Sequence, residues 1–556
     1  MVPDEKLLER LLKQGMIQQD QVNHARKEAS RVGQLLEHIL VKNGYVTDEE
    51  LASTKASILG VPYLDLNNYR LDRELIKLIP EKVARKYKII PLFSMGNSLS
   101  IGMVDPQNIV AVDQVRKLCN FDEVDAILVS SGGFQTALNA YYHSHGSMEE
   151  IVKTIQKEKA PNLKETLLGE ITEKTSVSKL VDSLLLQAVH SRASDIHIEP
   201  EETTVSVRLR VDGLLHHLTT FPLVIQSAVV SRVKILAGMD ITESRKAQDG
   251  KIRMELEGKD LDIRVSTFPT LFGENVVLRL LDKRAMLPNL VDLGFSQANL
   301  EHFSKLITHS HGIILVTGPT GSGKTTTLYA ALSKINSEEK NIVTIEDPVE
   351  YVLPRVRQTQ VNVKAGITFA NGLRGFLRQD PDIMMVGEIR DRETVEMAIQ
   401  SALTGHLVFS TLHTNDAPSA LARLIDMGAE PFLISSTVIG ILAQRLVRTN
   451  CMKCREPYTL SPAVLQSVGL PEGTQDMRGK CCSKCNQTGF MGRTGIFELM
   501  FITDEIKSLV DARRSAAEIK KKATEQGMKT LREDGLEKVL KGITTLEEVL
   551  RVTEIE

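Results

Sequence analysis

The chain has 556 residues, which is enough for about three to five domains with separate cores. Its 68 basic and 71 acidic residues nearly cancel, and aromatic residues make up only 4% with no tryptophan, so neither charge nor composition favours a nucleic-acid partner. No apolar stretch follows the N-terminus, and the longest apolar run, near residues 431–443, is too short and too interrupted to cross a bilayer. We therefore expect a soluble, cytoplasmic protein.

An internal repeat marks the beginning of the chain. Residues 11–17 recur as residues 40–46, at an offset of 29, and an acidic stretch that can start a helix follows each copy. The repeat predicts two small helical hairpins. Short strand signals then alternate with helical ones as far as residue 142, which is typical of a small α+β domain. We therefore assign residues 1–143 to an N-terminal domain.

A second domain is predicted at residues 177–290. A polar segment rich in Lys and Glu, residues 144–176, precedes it and predicts an exposed linker. An amphipathic helix then begins near residue 177, and strands follow it. In one of these strands the alternation of apolar and polar side chains leaves Arg210 on the polar face, and the same pattern exposes Arg264 and Arg279. The result is a sheet with arginines on one face.

A phosphate-binding loop occupies residues 318–325. A buried strand precedes it and a helix-forming run follows it, which is the context that this motif requires. Glycines let the backbone wrap a phosphate, Lys324 reaches the β- and γ-phosphate oxygens, and Thr325 ligates magnesium. A glycine-rich turn without a ligand is the alternative. The predicted nucleotide contacts are Gly318, Pro319, Thr320, Gly321, Ser322, Gly323, Lys324, Thr325 and Thr326.

Three further apolar strands end in polar groups, among them Glu346, Glu388 and His413. The carboxyl ends of parallel strands meet at one edge of a sheet, where ligands bind. Glu388 is the candidate base for the attacking water and an indirect magnesium ligand. Glu346, Asp347 and Glu350 form a second acidic cluster for magnesium or water, and their spacing does not decide between them. We interpret His413 as a sensor of the γ-phosphate; a structural histidine is the alternative.

The arginine-bearing face has a candidate role at this site. Magnesium and the loop lysine leave part of the transition-state charge to be neutralised, and an arginine from elsewhere commonly supplies the rest. Arg210, Arg264 and Arg279 are therefore candidate catalytic residues, acting on a nucleotide of the same chain or of a neighbouring one. The alternative is a solvated face on which these arginines pair with Asp212 and Asp262.

Four cysteines have the spacing of two metal knuckles. Five of the six cysteines lie between residues 451 and 485, which in a cytosolic chain indicates metal binding rather than disulfides. Four thiolates complete a tetrahedral zinc site and leave no open position for a substrate, so the predicted role is structural. The predicted zinc ligands are Cys451, Cys454, Cys482 and Cys485; uncoordinated thiols are the alternative.

These motifs resemble those of the secretion-superfamily ATPases that drive type IV pilus assembly and type II secretion. The resemblance runs from about residue 177 to the end, and it rests on the segments 193–200, 208–213, 318–325, 344–350, 387–391 and 404–416 and on the four cysteines. It implies an α/β fold with a RecA-like P-loop core at residues 291–556, a zinc-binding insertion at 448–495, a C-terminal helical part and a PAS-like α+β domain before the core. It also places the histidine motif of the family on His406 and His413.

The resemblance further implies a homohexamer that hydrolyses ATP at the inner membrane. Contact with the membrane would be indirect, through a pilus platform protein and cytoplasmic accessory proteins. Retraction motors of the family usually lack both the long N-terminal region and the four cysteines, so the resemblance favours pilus assembly. Type II secretion stays an alternative because it shares every motif. A nucleic-acid motor is an alternative of a different class, which the balanced charge and scarce aromatics disfavour.

The N-terminal repeat resembles two-motif modules that can bind cyclic di-GMP. Only the second copy keeps Arg31 and Gly33 at its start, whereas the first copy has neither an arginine nor a glycine there. A plain docking module is therefore the alternative to a cyclic di-GMP site.

Overall fold

The computed structural model of this chain describes residues 4–553, except 33–35, 67, 68, 70, 77, 120, 142–151, 153, 154, 156–175, 257, 283–287 and 472. Residues 1–210, 215–252 and 264–279 form one compact unit, and residues 211–214, 253–263 and 280–556 form a second. Nearly all of the predicted linker, residues 144–176, lies outside the described residues. The predicted domain boundaries stay predictions.

Four helices open the chain: α1 (Asp4–Lys13), α2 (Gln19–Val32), α3 (Leu36–Lys42) and α4 (Asp48–Leu59). Gly15 and Gly44 occupy equivalent positions of the repeat, and both have a φ of 69°, which glycine adopts without strain at the end of a helix. The equivalent residues Leu11 and Leu40 are fully buried in one shared core. The helices predicted for both copies are present, but α2 packs mainly on α3 and α1 on α4, so the copies pack on each other rather than as two separate hairpins. The side chain of Arg31 and residues 33–35 are outside the described part.

A small α+β fold follows the hairpins. Its elements are α5 (Arg73–Ile76), α6 (Glu81–Tyr87), β1 (Ile89–Met95), β2 (Ser98–Met103), α7 (Ile109–Cys119), β3 (Glu123–Leu128) and α8 (Ser131–Tyr141). The sheet has the order β1-β2-β3, in which β1 is antiparallel and β3 parallel to β2. The alternation of short strands and helices expected from the sequence in this region is present.

A six-stranded sheet carries the predicted arginines. The elements of this part are α9 (Ser176–His190), β4 (Ala193–Pro200), β5 (Thr204–Val211), β6 (Leu214–Pro222), α10 (Gln226–Ala237), β7 (Gln248–Leu256), β8 (Lys259–Thr270) and β9 (Gly273–Asp282). The strand order is β6-β5-β4-β9-β8-β7. On β5, Val205, Val207 and Leu209 are buried, whereas Arg210 is partly exposed, as the alternation predicts.

The phosphate loop belongs to a seven-stranded sheet. The strands of this part of the chain are β10 (Gly312–Thr317), β11 (Ile342–Glu346), β12 (Val356–Gln360), β13 (Ile383–Val386), β14 (Leu407–Leu412), β15 (Val438–Asn450), β16 (Arg455–Thr459), β17 (Gln475–Gly479) and β18 (Phe490–Phe501). The large sheet has the order β12-β11-β13-β14-β10-β15-β18, with β18 antiparallel to β15 and the other neighbours parallel.

Helices flank this sheet: α11 (Gln297–Leu306), α12 (Lys324–Ile335), α13 (Phe369–Phe376), α14 (Arg392–Leu403), α15 (Ala417–Asp426) and α16 (Pro431–Thr437). Every residue of β10, β13 and β14 is buried, because both faces of the sheet are covered by apolar cores. Continuous apolar strands of this kind are typical of parallel sheets. The predicted α/β fold is confirmed.

The cysteine-bearing segment lies between β15 and β18. It contains the antiparallel pair of β16 and β17 and the short helix α17 (Pro462–Ser467). The chain then continues through α18 (Asp504–Asp511), α19 (Ala516–Glu525), α20 (Leu531–Leu540) and α21 (Leu546–Thr553). The apolar run near residues 431–443 is split between α16 and β15. Across the described part of the chain, none of the helices has both the length and the apolar character needed to cross a bilayer.

Candidate active site

The phosphate-binding loop connects β10 to α12. A Cβ on Gly318 would lie 2.5 Å from the carbonyl oxygen of Gln444, so only glycine fits between the loop and β15. Gly323, with a φ of 90°, immediately precedes the first residue of α12, Lys324. The free N–H groups and the positive end of the helix dipole therefore lie at the loop. This arrangement favours an anion such as a phosphate.

The other predicted nucleotide contacts differ in exposure. Ser322 is buried, and its Oγ has no hydrogen-bond partner among the described residues. A phosphate oxygen would satisfy this buried hydroxyl, which fits a bound nucleotide. Thr325 is exposed in the first turn of α12, where its hydroxyl is accessible to a magnesium ion. The remaining contacts are exposed or half-buried: Pro319, Thr320, Gly321 and Thr326.

Lys324 is held inside the loop. Its Nζ donates hydrogen bonds to the carbonyl oxygens of Gly318, at 2.7 Å, and Pro319, at 3.1 Å. Burial lowers the pKa of Lys324 to about 8; the carboxylate of Glu388 acts in the opposite direction, and the charge of Arg445 adds to the lowering. The ammonium group therefore lies within electrostatic reach of an acid and of a second cation, neither of which belongs to the loop.

Glu388 and His413 meet at the carboxyl end of the sheet. Glu388 follows β13, and its Oε2 lies 3.3 Å from Nε2 of His413, which follows β14. Thr411 donates a 2.7 Å hydrogen bond to the carbonyl of Gly387, and this bond ties the two strand ends together. Arg390 pairs with the other carboxylate oxygen of Glu388, and this hydrogen bond raises the pKa of Arg390. The structure thus brings the candidate base and the candidate sensor together.

Glu346 is in a different environment. It ends β11 with 3% of its surface exposed. Its Oε1 accepts hydrogen bonds from Thr344, at 2.6 Å, and Gln358, at 3.0 Å, and its Oε2 accepts one from Tyr329. Burial and the contact with Glu346 raise the pKa of Tyr329. The carboxylate therefore anchors side chains of β11, β12 and α12, and the catalytic role of Glu346 stays a prediction.

His406 does not join His413. The resemblance placed both histidines in one motif, but His406 precedes β14 and His413 follows it. The Nδ1 of His406 lies 2.9 Å from the carbonyl oxygen of Ser401 and 3.0 Å from Oγ1 of Thr404. A six-residue strand spans about 20 Å, so the two imidazoles are at opposite edges of the sheet.

Two residues of β15 at the loop were not found from the sequence. The Oγ1 of Thr327 donates a 2.7 Å hydrogen bond to Oε1 of Gln444, across 117 positions of the chain. Arg445 donates to the carbonyl oxygen of Asn415 at 2.8 Å. No motif spacing connects positions so far apart, and only the pairing of β15 with β10 brings them to the loop. Arg390 was also missed, although it lies in a motif that the resemblance used.

The three candidate arginines share one sheet. Arg279 donates to Oδ1 of Asp195 at 2.9 Å, and Nε of Arg210 lies 3.8 Å from Oδ2 of the same carboxylate. Arg264 and Arg279 both line a cavity of about 380 Å³. The alternative that paired the arginines with Asp212 and Asp262 overlooked Asp195, which is the partner of two of them. Their action on a nucleotide stays a prediction.

The four predicted zinc ligands converge. The Sγ atoms of Cys451, Cys454, Cys482 and Cys485 all lie within 4.8 Å of one another, and three of the separations are 3.8 to 3.9 Å. Tetrahedral Zn–S bonds of about 2.3 Å place sulfurs about 3.8 Å apart, so the geometry fits zinc. The backbone N–H groups of Cys482 and Gly489 donate to Sγ of Cys485. Cys481 is exposed and outside the cluster.

The sequence matches the family described as "Type II/IV secretion system protein" over residues 170–551. This region contains the phosphate loop, Glu388, His413 and the four cysteines.

The chain belongs to the type II/IV secretion system protein family.

A second match, to the MshEN domain, covers residues 59–148 and begins after the helical repeat. Among relatives in this family, the type IV pilus assembly ATPase PilB of Myxococcus xanthus is 42% identical over 98% of both chains. The type II secretion system protein E of Xanthomonas campestris pv. campestris is 40% identical over 99% of this chain and 98% of that protein. The X-ray structure of the Legionella pneumophila ATPase DotB has a TM-score of 0.52 at 21% identity, covering 70% of this chain and 98% of that one. At this low identity, the likeness is evidence for the fold and not for a shared function.

Proposed function

We propose that this protein is a motor ATPase that powers type IV pilus assembly. The convergence of Lys324, Glu388 and His413 at the phosphate loop carries the ATPase part of the proposal. The pilus part is supported by the similarity to the PilB ATPase of M. xanthus, which extends over 98% of both chains.

The geometry supports hydrolysis by direct attack of water. The oxygen of a water molecule attacks the γ-phosphorus, and its proton passes to the carboxylate of Glu388. The bond from the γ-phosphorus to the bridging oxygen breaks, and ADP leaves with that electron pair. Lys324 stabilises the charge on the β- and γ-phosphate oxygens. His413, 3.3 Å from Glu388, orients that carboxylate and contacts the γ-phosphate.

Two metals complete the proposal. The exposed Thr325 hydroxyl would hold magnesium directly and Glu388 through water, and the ion would neutralise phosphate charge. Zinc would be held by the four clustered cysteines in a structural role, because four thiolates fill its coordination sphere.

The proposed assembly is a homohexamer in which Arg210, Arg264 and Arg279 complete a nucleotide site. The pairing of Arg210 and Arg279 with Asp195 keeps their guanidinium groups on one face of the sheet, which suits a shared target. The proposed location is the cytoplasmic face of the inner membrane, where the motor binds the pilus platform protein and accessory proteins.

The second candidate function is type II secretion. The specific observation in its favour is the 40% identity to a type II secretion system protein E over 99% of this chain. Replacing the chromosomal gene by the Glu388→Gln allele distinguishes the two functions. Pilus assembly predicts loss of surface pili with normal protein export, and type II secretion predicts the reverse. ATP turnover by the purified protein that responds only to DNA would contradict both.

Cyclic di-GMP binding is a further, separate prediction for the N-terminal domain. Isothermal titration of the full chain with cyclic di-GMP measures it directly. A titration without heat at two temperatures would leave the plain docking module as the explanation of this region.

A further inference from the structure

Two adjacent residues of β15, Gln444 and Arg445, lie next to the phosphate loop. Strand β15 pairs in parallel with β10, and the last pair is Ala443 with Thr317. The next residue on β10's side is Gly318, which begins the loop. Gln444 and Arg445 therefore continue β15 beyond its last pair with β10, at the level where the loop leaves the sheet, and they lie against the loop.

Gln444 contacts the loop at its beginning and at its end. Its carbonyl oxygen is so close to Gly318 that a Cβ there would lie 2.5 Å away, and its Nε2 would lie 2.7 Å from a Cβ on Gly323. Its Oε1 accepts the 2.7 Å hydrogen bond from Thr327, in the first turn of α12. Buried Gln444 thus approaches the start of the loop through its backbone carbonyl, and its side chain approaches the end of the loop and bonds the helix that follows.

Arg445 joins the loop to the segment that carries His413. Arg445 is 8% exposed, and its guanidinium donates to the carbonyl oxygens of Gln444, at 3.0 Å, and Asn415, at 2.8 Å. Asn415 is two positions beyond His413. One terminal nitrogen of Arg445 would also lie 3.1 Å from a Cβ on Gly318. The same guanidinium therefore lies against Gly318, at the start of the loop, and bonds Asn415, in the segment between β14 and α15.

Two carboxylates act on the charge of Arg445 without contacting its guanidinium directly. Burial lowers the pKa of Arg445, while the carboxylates of Glu498 and Asp416 act in the opposite direction. All of the side-chain hydrogen bonds of Arg445 among the described residues go to oxygens of Gln444 and Asn415, which are neutral. The cation is thus not neutralised by a direct carboxylate contact beside a site that takes a polyanion.

We propose that Gln444 and Arg445 form a positioning element of the ATPase site, in which Gln444 holds the phosphate loop in its binding shape and Arg445 holds the His413 segment against that loop. Neither is a catalytic residue in this scheme. Gln444 acts on nucleotide affinity through the loop, and Arg445 acts on turnover through His413 and its partner Glu388. This inference rests on the proposed ATP hydrolysis. The experiment must therefore distinguish a protein that does not hydrolyse ATP from an ATPase in which Gln444 and Arg445 have no positioning role.

The test uses the full chain with the variants Gln444→Leu, Arg445→Met and Arg445→Lys, and Arg493→Met as the matched control. Arg493 is an exposed arginine of the neighbouring strand β18. Dissociation constants of ATP, kcat and the urea midpoint are measured for each. We expect Gln444→Leu to weaken ATP binding about tenfold with a smaller change in kcat, and Arg445→Met to lower kcat about tenfold with binding changed less than about threefold.

A double-mutant cycle with His413→Ala decides whether Arg445 acts through that histidine. We expect Arg445→Met to reduce kcat less than about twofold further in the His413→Ala background, because both changes disrupt one unit. If Arg445→Met does not fold, Arg445→Lys, which keeps the charge and one hydrogen bond, must show the same non-additivity. Independent, multiplicative effects in a wild-type protein that hydrolyses ATP overturn this inference alone. Absence of ATP hydrolysis by the wild-type protein overturns the proposed function as well.

Discussion

The guanidinium of Arg448 lies 2.7 Å from the carboxylate of Glu548, and this pair joins β15 to α21. Arg551 donates to the same carboxylate at 2.8 Å and 2.9 Å, and the backbone N–H of Arg448 adds a fourth hydrogen bond. Glu548 is 2% exposed. The buried carboxylate of Glu548 therefore links the C-terminal helices to the central sheet.

Replacing this acid should destabilise the C-terminal part. Glu548→Gln leaves two arginines without their counter-charge, which we expect to cost about 3 kcal/mol in the free energy of unfolding. The measurement is urea unfolding at neutral pH. Glu547→Gln is the matched control, because Glu547 is exposed and pairs with Arg478 only at the surface. Equal unfolding midpoints for the two variants would contradict a structural role of Glu548.

The same acid predicts a pH dependence of stability. Burial raises the pKa of Glu548, but hydrogen bonds from Arg551 and Arg448 outweigh it and lower the pKa to about 2, from an ordinary 4.5. A pKa lower in the folded than in the unfolded chain stabilises the fold above pH 4.5, and this contribution is lost as the pH falls towards 2. The difference in unfolding midpoint between wild type and Glu548→Gln should therefore shrink over this range.

Glu388 should control turnover without controlling binding. Glu388→Gln removes the proton acceptor but keeps the shape of the side chain, so we expect kcat to fall about 100-fold or more while ATP still binds. Phosphate release and binding of a fluorescent ATP analogue measure the two quantities. The control is Glu393→Gln, an exposed residue of α14 that pairs with Arg374 at the surface. Retention of more than half of the wild-type kcat in Glu388→Gln would exclude Glu388 as the base.

Glu346 should act mainly on stability. Glu346→Gln places an amide donor among three hydrogen-bond donors, from Tyr329, Thr344 and Gln358. Leaving such buried groups unsatisfied costs about 1–3 kcal/mol, so the thermal midpoint should drop. Turnover per folded molecule distinguishes the roles. A loss of kcat much greater than the loss of folded protein would restore Glu346 as a group that acts on magnesium or water.

The arginine face should contribute to the transition state. We expect Arg210→Ala and Arg264→Ala each to lower kcat, by up to about 1000-fold if the residue acts as an arginine finger. Arg253→Ala, an exposed position on β7 of the same sheet, is the control. Steady-state ATPase rates at saturating ATP are measured at a protein concentration that supports assembly. Full turnover in both variants would eliminate these arginines from the mechanism.

The four clustered cysteines should hold one zinc ion per chain. Cys454→Ser removes one of four thiolates and should lose the metal and lower the thermal midpoint, because the metal links the two knuckles. Cys481→Ser is the matched control, since Cys481 adjoins a ligand but lies outside the cluster. Elemental analysis of protein purified without chelator is the measurement. Equal zinc content in the two variants would contradict the ligand set.

Local pattern was sufficient where one segment carries the whole signal. The phosphate loop, the apolar strands and the paired cysteines were all predicted from contiguous residues. The other residues of the site could not be predicted in this way, because they come together only through the order of the strands in the sheet. Gln444 reaches Thr327 across 117 positions, and Asp195 meets Arg279 across 84. His406 and His413 belong to one sequence motif, but strand β14 separates them, and only His413 lies beside Glu388.

Strand β15 carries Gln444 near its middle and ends at Asn450, and the first cysteine of the cluster follows at once. Seven residues of extended chain correspond to about 23 Å. Asn450 donates to the carbonyl oxygens of Met477 and Gly542, so this end of the strand is anchored to the cysteine module and to the C-terminal helices together. The phosphate loop and the four clustered cysteines are therefore connected through a single strand, β15. A spectroscopic probe attached beside the cysteines would report a displacement of Gln444 and of the loop that it contacts.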